Sequence, residues 1–548
     1  METTTNVNPP RKSYKKTLLI IGAAAVVVIG GLGTAYAKLD LFKSSKTIYL
    51  QSEAESMMKL SSDFSKSYAE YEAYMKPYLE KPVHSKTELS DIQIDADIPD
   101  PQAEKVLDLL SSAKIIMNSN IDEQKKQQSG NLEVHLSEKK LATLEFFLND
   151  TLVGFKLPEF YSKYAYVDLK DRETIAQNFG EELPKRFLTY GDLFKAVEVN
   201  SDEVKSIMTP YALLYANSLK DSQISMKKDV AFNEEGYQTN VREVTVSFTP
   251  EEASALLTQI AEKAKTDEKL FDLIYTRYNN MYTLLNDTGY EVGPSITREE
   301  FKKSFDQTFT DLIEDVKVEE PNKEEKLNMV VLIDSNHQIL SRKLLVAEKD
   351  KESVFWQSVS YQNGADTYHH YSLQDPENAD SNKLSLSYKA KEEQGKTNGT
   401  FGFLLVDESR PVMDLKTTFE TTKQDKKEDG TYDFNLALQD DTALQTVSLS
   451  GKITSTTTNT DNGRESTADV TLHFDETPEL PKGVSMKLKT TEEFGKPLEI
   501  PQVNESNGIN LATITEEQMM EIQQEVGISM QTFMEENAEL FQEFMMKP

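Results

Sequence analysis

The chain has 548 residues, with 60 Lys and Arg against 92 Asp and Glu, a formal charge of −32. That balance excludes general DNA or RNA binding, because polyanions are repelled. The absence of cysteine excludes disulfides, thiolate metal sites, iron–sulfur clusters, a cysteine nucleophile and a lipidated cysteine at the N-terminus. With 25 Phe and 23 Tyr, far too many aromatics for a disordered acidic chain, most of the length should fold, into one large or two to three ordinary domains.

In chain order, Arg11, Lys12, Lys15 and Lys16 precede 21 uncharged residues from Thr17 to Ala37. As a helix that run reaches about 31 Å, close to the hydrocarbon thickness of a bilayer. The cations in front predict a cytoplasmic N-terminus and an extracytoplasmic body, single-pass at the cell membrane. Ala35-Tyr36-Ala37 also fits a cleavage site, so the alternative is a protein secreted after cleavage following Ala37.

From Met57 the apolar residues Met57, Leu60, Phe64, Tyr68, Tyr71, Met75 and Tyr78 recur at steps of three and four, which predicts a helix halted near Pro82. Ile92, Ile94, Ala96 and Ile98 then alternate with polar residues as in a strand. A short helix around Val106 to Leu110 and several strands up to Leu169 follow. From Asp171 to Val318 the pattern reads as helical, with Thr249-Pro250-Glu251-Glu252 as a capping box.

Leu327 to Thr490 reads as strand after strand, each with one apolar face: Leu384, Leu386 and Tyr388; Met413, Leu415 and Phe419; Tyr432, Phe434, Leu436 and Leu438; Val447, Leu449 and Ile453; Val470, Leu472 and Phe474. Asp429-Gly430 and Asp461-Asn462-Gly463 are the expected hairpin turns. The tail predicts a helix capped by Thr515 and Gln518, with Met519, Ile522, Val526, Met530, Phe533, Phe541 and Phe544 on one stripe. The expected organisation is a basic tail over 1–16, a transmembrane helix over 17–37, helix plus strands over 38–170, a helical lobe over 171–320, a meander over 321–500, and a linker and amphipathic helix over 501–548. The expected fold class is α+β, a curved antiparallel meander sheet covered on one face by amphipathic helices.

Catalytic chemistry is not visible. None of His84, His135, His337, His369, His370 and His473 sits in a helix-spaced metal pair, and adjacent His369 and His370 point to opposite faces of a strand. Gly395-Lys396-Thr397 lacks the earlier glycine of a phosphate loop and reads as a turn. Asp334 with Asn336, Asp375 with Glu377 and Asp380, and Asp440 with Asp441 lack the spacing of a calcium loop. Trp356, near Phe355 and Tyr361, is read as packing. No catalytic residue, metal or cofactor is expected, and the chain is expected not to be an enzyme.

The basic stub, single apolar span and acidic cysteine-free body resemble membrane-anchored surface proteins of Gram-positive bacteria. The element order over 50–169 and 325–548 resembles the lipoprotein-carrier (LolA-like) superfamily, with no motif residue to carry over and with the helical lobe as a departure. That resemblance implies a curved sheet cupping an apolar cavity, plugged by helices. The expected function is therefore non-enzymatic binding of an apolar or amphipathic ligand, or of a protein partner, on the concave face, with the seven stripe residues of the tail as the plug. The expected partners are the bilayer through residues 17–37 and a lipid or an envelope protein, with no nucleic acid. The alternatives are a structural envelope scaffold and an envelope hydrolase using paired carboxylates.

Overall fold

The computed structural model describes residues 44–96, 101–180, 182–317, 324–349, 351–376, 378, 381–439, 446–474 and 481–538. The expected transmembrane helix over 17–37 lies outside them, as do Phe541 and Phe544.

Twenty strands form one sheet. They are β1 (Val83–Asp95), β2 (Ala113–Asp122), β3 (Gln127–Leu136), β4 (Lys139–Leu148), β5 (Leu152–Lys156), β6 (Tyr164–Asp168), β7 (Ile224–Glu234), β8 (Tyr237–Phe248), β9 (Glu325–Ile333) and β10 (Ile339–Glu348). Next come β11 (Lys351–Asn363), β12 (Asp366–Gln374), β13 (Lys383–Glu393), β14 (Lys396–Asp407), β15 (Arg410–Gln424), β16 (Lys427–Gln439), β17 (Thr446–Thr460), β18 (Gly463–Phe474), β19 (Gly483–Phe494) and β20 (Gly508–Asn510). β7 to β19 pair in chain order, β19 pairs with β1, and β1 leads through β2 to β6 and then β20. All pairs are antiparallel except β20 with β6. The two strand-rich parts of the sequence are thus one sheet, joined where Leu89 meets Leu488.

Among the described residues no pairing joins β7 to β6 or β20, so the sheet is open. Both edges are guarded against further pairing. β7 carries Lys227, Lys228 and a bulge with Asp229 at φ 58°, and β20 is three residues long.

The helices are α1 (Ser45–Glu80), α2 (Pro101–Ser111), α3 (Arg172–Phe179), α4 (Tyr190–Val197), α5 (Ser201–Ser218), α6 (Pro250–Thr266), α7 (Glu268–Asp287), α8 (Arg298–Asp315) and α9 (Glu516–Glu536). The capping boxes at Thr249 and Thr515 form as the sequence predicts. The stretch from 171 to 318 is not wholly helical, because the hairpin β7–β8 interrupts it. Its turn, Glu235-Gly236 with both φ positive, and the alternation of Val244, Val246 and Phe248 were available signals.

Asp429-Gly430 is not a turn but lies within β16, and the β15–β16 turn forms at Asp425 and Lys426. Gly430 instead leaves room for the Tyr432 ring. Asp461-Asn462 does turn the chain, between paired Thr460 and Gly463. Gly395-Lys396-Thr397 is likewise turn and strand start, with Gln394 at φ 54° and Gly395 at φ 77°.

The main core lies where helices meet β8 to β11. Val246, Met329 and Leu344 occupy one register row of β8, β9 and β10. They pack with Ile48 and Tyr49 of α1, Tyr211 and Tyr215 of α5 and Leu257 of α6. Arg342 crosses this core on the same face and donates to Glu53 of α1 at 2.8 Å and to Ser56 at 3.1 Å. Burial works to lower the Arg342 pKa, and the Glu53 carboxylate more than offsets it, so the guanidinium stays charged. Tyr49 and Tyr215 share a buried 2.8 Å hydrogen bond beside the pair.

Asp192 anchors α4. It accepts from Arg186 and from Lys126 of the β2–β3 turn, and it completes the Thr189 cap. Burial raises its pKa, and these donors outweigh burial and hold it well below the usual carboxylate range. A depressed native pKa stabilises above the unfolded value of about 3.9 and the benefit disappears as pH falls through and below it. The stability difference between the native chain and Asp192→Asn should therefore be largest at neutral pH and shrink at pH 3.5, measured as urea midpoints at both pH values.

Candidate functional site

The two faces of the sheet differ in chemistry and in curvature. On one face, register places Leu344, Trp356, Leu373, Leu384, Leu405, Met413, Leu438 and Val447 in a single row across β10 to β17. The next row on that face runs Tyr371, Leu386, Phe403, Leu415, Leu436, Leu449 and Phe474 across β12 to β18. Further along lie Tyr388 stacked on Phe419, with Tyr432 opposite Phe419. Beyond these aromatics the same face turns polar at Thr421, Glu428 and Thr457.

The opposite face of the meander is polar. One complete row is Ser387, Gly402, Lys416, Asn435 and Ser450.

Curvature is shown at the β7 end. In a flat sheet β7 and β11 would lie about 19 Å apart, at roughly 4.8 Å per strand. Yet the rings of Phe232 in β7 and Tyr361 in β11 are 6.1 Å apart, and Tyr361 donates to the Glu234 carbonyl at 3.0 Å. Phe232, Val241, Leu340, Val359, Tyr361 and Tyr368 close a small second core there. Lys389 of β13 also reaches Glu235 at the hairpin tip, at 2.9 Å. These residues occupy the polar-face positions of their strands, so the sheet curls towards that face. In the meander a hollow of about 690 Å³ is centred on the polar row.

This geometry corrects two expectations. Helices cover the apolar face over β8 to β11, α1 continues past His369 of β12 with Lys59 and Asp63 beside it, and the end of α1 reaches one corner of β18 and β19, where Tyr78 meets Phe494 and Arg464. Leu373, Leu384, Leu386, Leu405 and Leu438 stay 36–42% exposed. Hence the fold class is not a sheet roofed on one face, but one open 20-stranded sheet whose helices leave most of the β12 to β17 apolar face uncovered. Nor does an apolar ligand cavity lie on the concave side. From β7 to β13 the concave side is the face opposite the leucine rows, because the side chains of β7 and β11 meet across it.

The expected plug is displaced too. α9 packs Phe533 on Phe160 of the β5–β6 loop, with ring centroids 5.0 Å apart, and Lys139 donates to the Glu536 carbonyl. Ile522, Val526 and Phe533 are half-buried there, whereas Met519 and Met530 are 41% and 48% exposed. The helix thus lies by β3 to β6, away from the meander hollow.

Among the described residues no group of three His, Asp or Glu side chains could hold a metal. His369 and His370 do point to opposite faces. His369 Nδ1 lies 2.8 Å from Ser360 Oγ on the leucine face, and burial lowers the pKa of both histidines. Trp356 packs against the main core, and its neighbour Phe355 is fully buried within it.

No family model matches the chain, and no curated protein matches it. Solved structures do. A loop-deletion mutant of OmpT, an outer membrane protein of Vibrio cholerae, is 6% identical, with 76% of this chain and 98% of that chain covered and a TM-score of 0.20. OccK10 of Pseudomonas aeruginosa is 7% identical, with 77% and 99% covered and a TM-score of 0.22. OccK2 of the same organism is 6% identical, with 76% and 97% covered and a TM-score of 0.23. At such TM-scores the likeness carries no conclusion about this chain.

The single-pass placement at the cell membrane is also corrected. Among the described residues no helix is long and apolar enough to cross a membrane, which says nothing of crossing by strands. Nothing in the comparisons bears on the Gram-positive surface proteins or the lipoprotein carriers.

Proposed function

We propose that the chain works at a lipid surface, seating the apolar face of its open sheet among acyl chains while the opposite, polar face stays in water. The observation that carries this reading is the pair of unbroken apolar rows across β10 to β18, left without a protein cover over most of their length. Contiguous apolar patches of that extent are uncommon on soluble monomers and mark interaction surfaces.

Dimensions favour one leaflet over a full span. Each strand contributes three or four apolar positions on that face, a band roughly 14–20 Å tall at about 3.4 Å per residue. The full hydrocarbon core measures about 30 Å. Two open edges would also leave backbone groups unpaired in hydrocarbon, which a spanning structure does not tolerate.

Flotation with phosphatidylcholine vesicles tests the reading. The chain should rise with the vesicles. A chain that stays at the bottom of the gradient overturns it. Because the charge is −32, adding phosphatidylserine should weaken binding at low salt, and about 0.5 M salt should restore it by screening.

A further inference from the structure

We propose that the hollow on the polar face of the meander is a binding site for a neutral polyhydroxylated chain of the oligosaccharide class. This inference does not rest on the lipid reading, since it concerns the opposite face.

The hollow, about 690 Å³, falls in the size range of small-molecule sites. Its charges cancel locally. Lys416 donates to Asp414 at 2.8 Å, and Asp433 lies opposite Lys452 in the β16–β17 register. The hollow thus presents paired opposite charges and no excess of either sign.

What remains is a set of uncharged donors and acceptors. Ser385, Ser387, Thr400, Thr418, Asn435 and Ser450 line the hollow and make no side-chain hydrogen bond to one another among the described residues. Hydroxyl and amide groups that both donate and accept suit sugar hydroxyls, which do the same. They are repeated from strand to strand at about 4.8 Å, a spacing close to the repeat of an extended sugar chain lying across the strands.

Gly402 makes the floor. A Cβ there would sit 2.6 Å from Ser387 Oγ, so any side chain would rise into the hollow. Glycine in the middle of a strand commonly marks such a close approach.

The test is calorimetric titration of the full chain with maltohexaose, cellohexaose and chitohexaose, with dextran sulfate as the charged comparison. Saturable binding of at least one neutral glycan is expected, lost at least tenfold in Gly402→Leu and in the double variant Ser387→Ala with Asn435→Ala. The double variant removes only groups lining the open hollow, so it reports on the site even if Gly402→Leu fails to fold. Leu386→Lys, on the other face, should bind glycan as the native chain does. Saturable binding to none of the three neutral glycans, unchanged affinity in the double variant, or tighter binding of dextran sulfate overturns the proposal.

Discussion

Leu386→Lys combined with Leu415→Lys should abolish vesicle flotation while the chain remains folded. The two residues are register partners of Phe403 from either side, at the centre of the exposed apolar rows. Lysine on the lipid-facing side of a strand costs roughly 2–4 kcal/mol near the bilayer midplane and less near the interface. For a face seated in one leaflet, about 1.4 kcal/mol per site is a cautious figure, a tenfold loss each and about a hundredfold for the pair. The folded state should be nearly indifferent, since Leu386 is 36% exposed and surface substitutions usually stay within about 0.5 kcal/mol. Equal flotation of the double variant and the native chain would remove the apolar face as the lipid contact.

The largest expected loss of stability comes from Arg342→Met, about 3–5 kcal/mol. Its side chain is 20% exposed and that of Glu53 3%, so removing the guanidinium leaves a buried carboxylate without its cation. The same change combined with Glu53→Met should recover much of the loss, because an apolar pair of similar volume replaces the ion pair. Urea unfolding of the three variants checks this. A single variant as stable as the double would mean that water already reaches Glu53. The pair also fixes where α1 crosses the sheet, joining residues 53 and 342 at the helix-covered end of the apolar face.

Much of the local structure was legible. Alternation named the residues that share a face: Leu384, Leu386 and Tyr388 do line one side of β13, and their partners in β14 to β18 line the same side. Thr249 and Thr515 marked their helices, and Gln394-Gly395 and Asp461-Asn462 turn where a positive φ or a small polar residue allows it. Asp429-Gly430 misled because glycine also serves inside a strand, where a neighbouring ring needs its missing side chain. The hairpin β7–β8 was hidden by the strength of the helical patterns on either side.

The candidate hollow was not legible, since Ser387, Gly402, Lys416, Asn435 and Ser450 lie on five strands and become neighbours only through register. The sequence by itself determined an acidic, cysteine-free chain of one-faced strands and capped helices. Tertiary structure alone decided that β1 closes against β19, that helices gather over β8 to β11, and that the sheet bends towards its polar side. The physical reason is that a period of two assigns side chains to two faces without saying which face becomes concave. That sign is set by contacts between distant strands, here the tyrosines and phenylalanine of β7, β8, β11 and β12 meeting across the inner side.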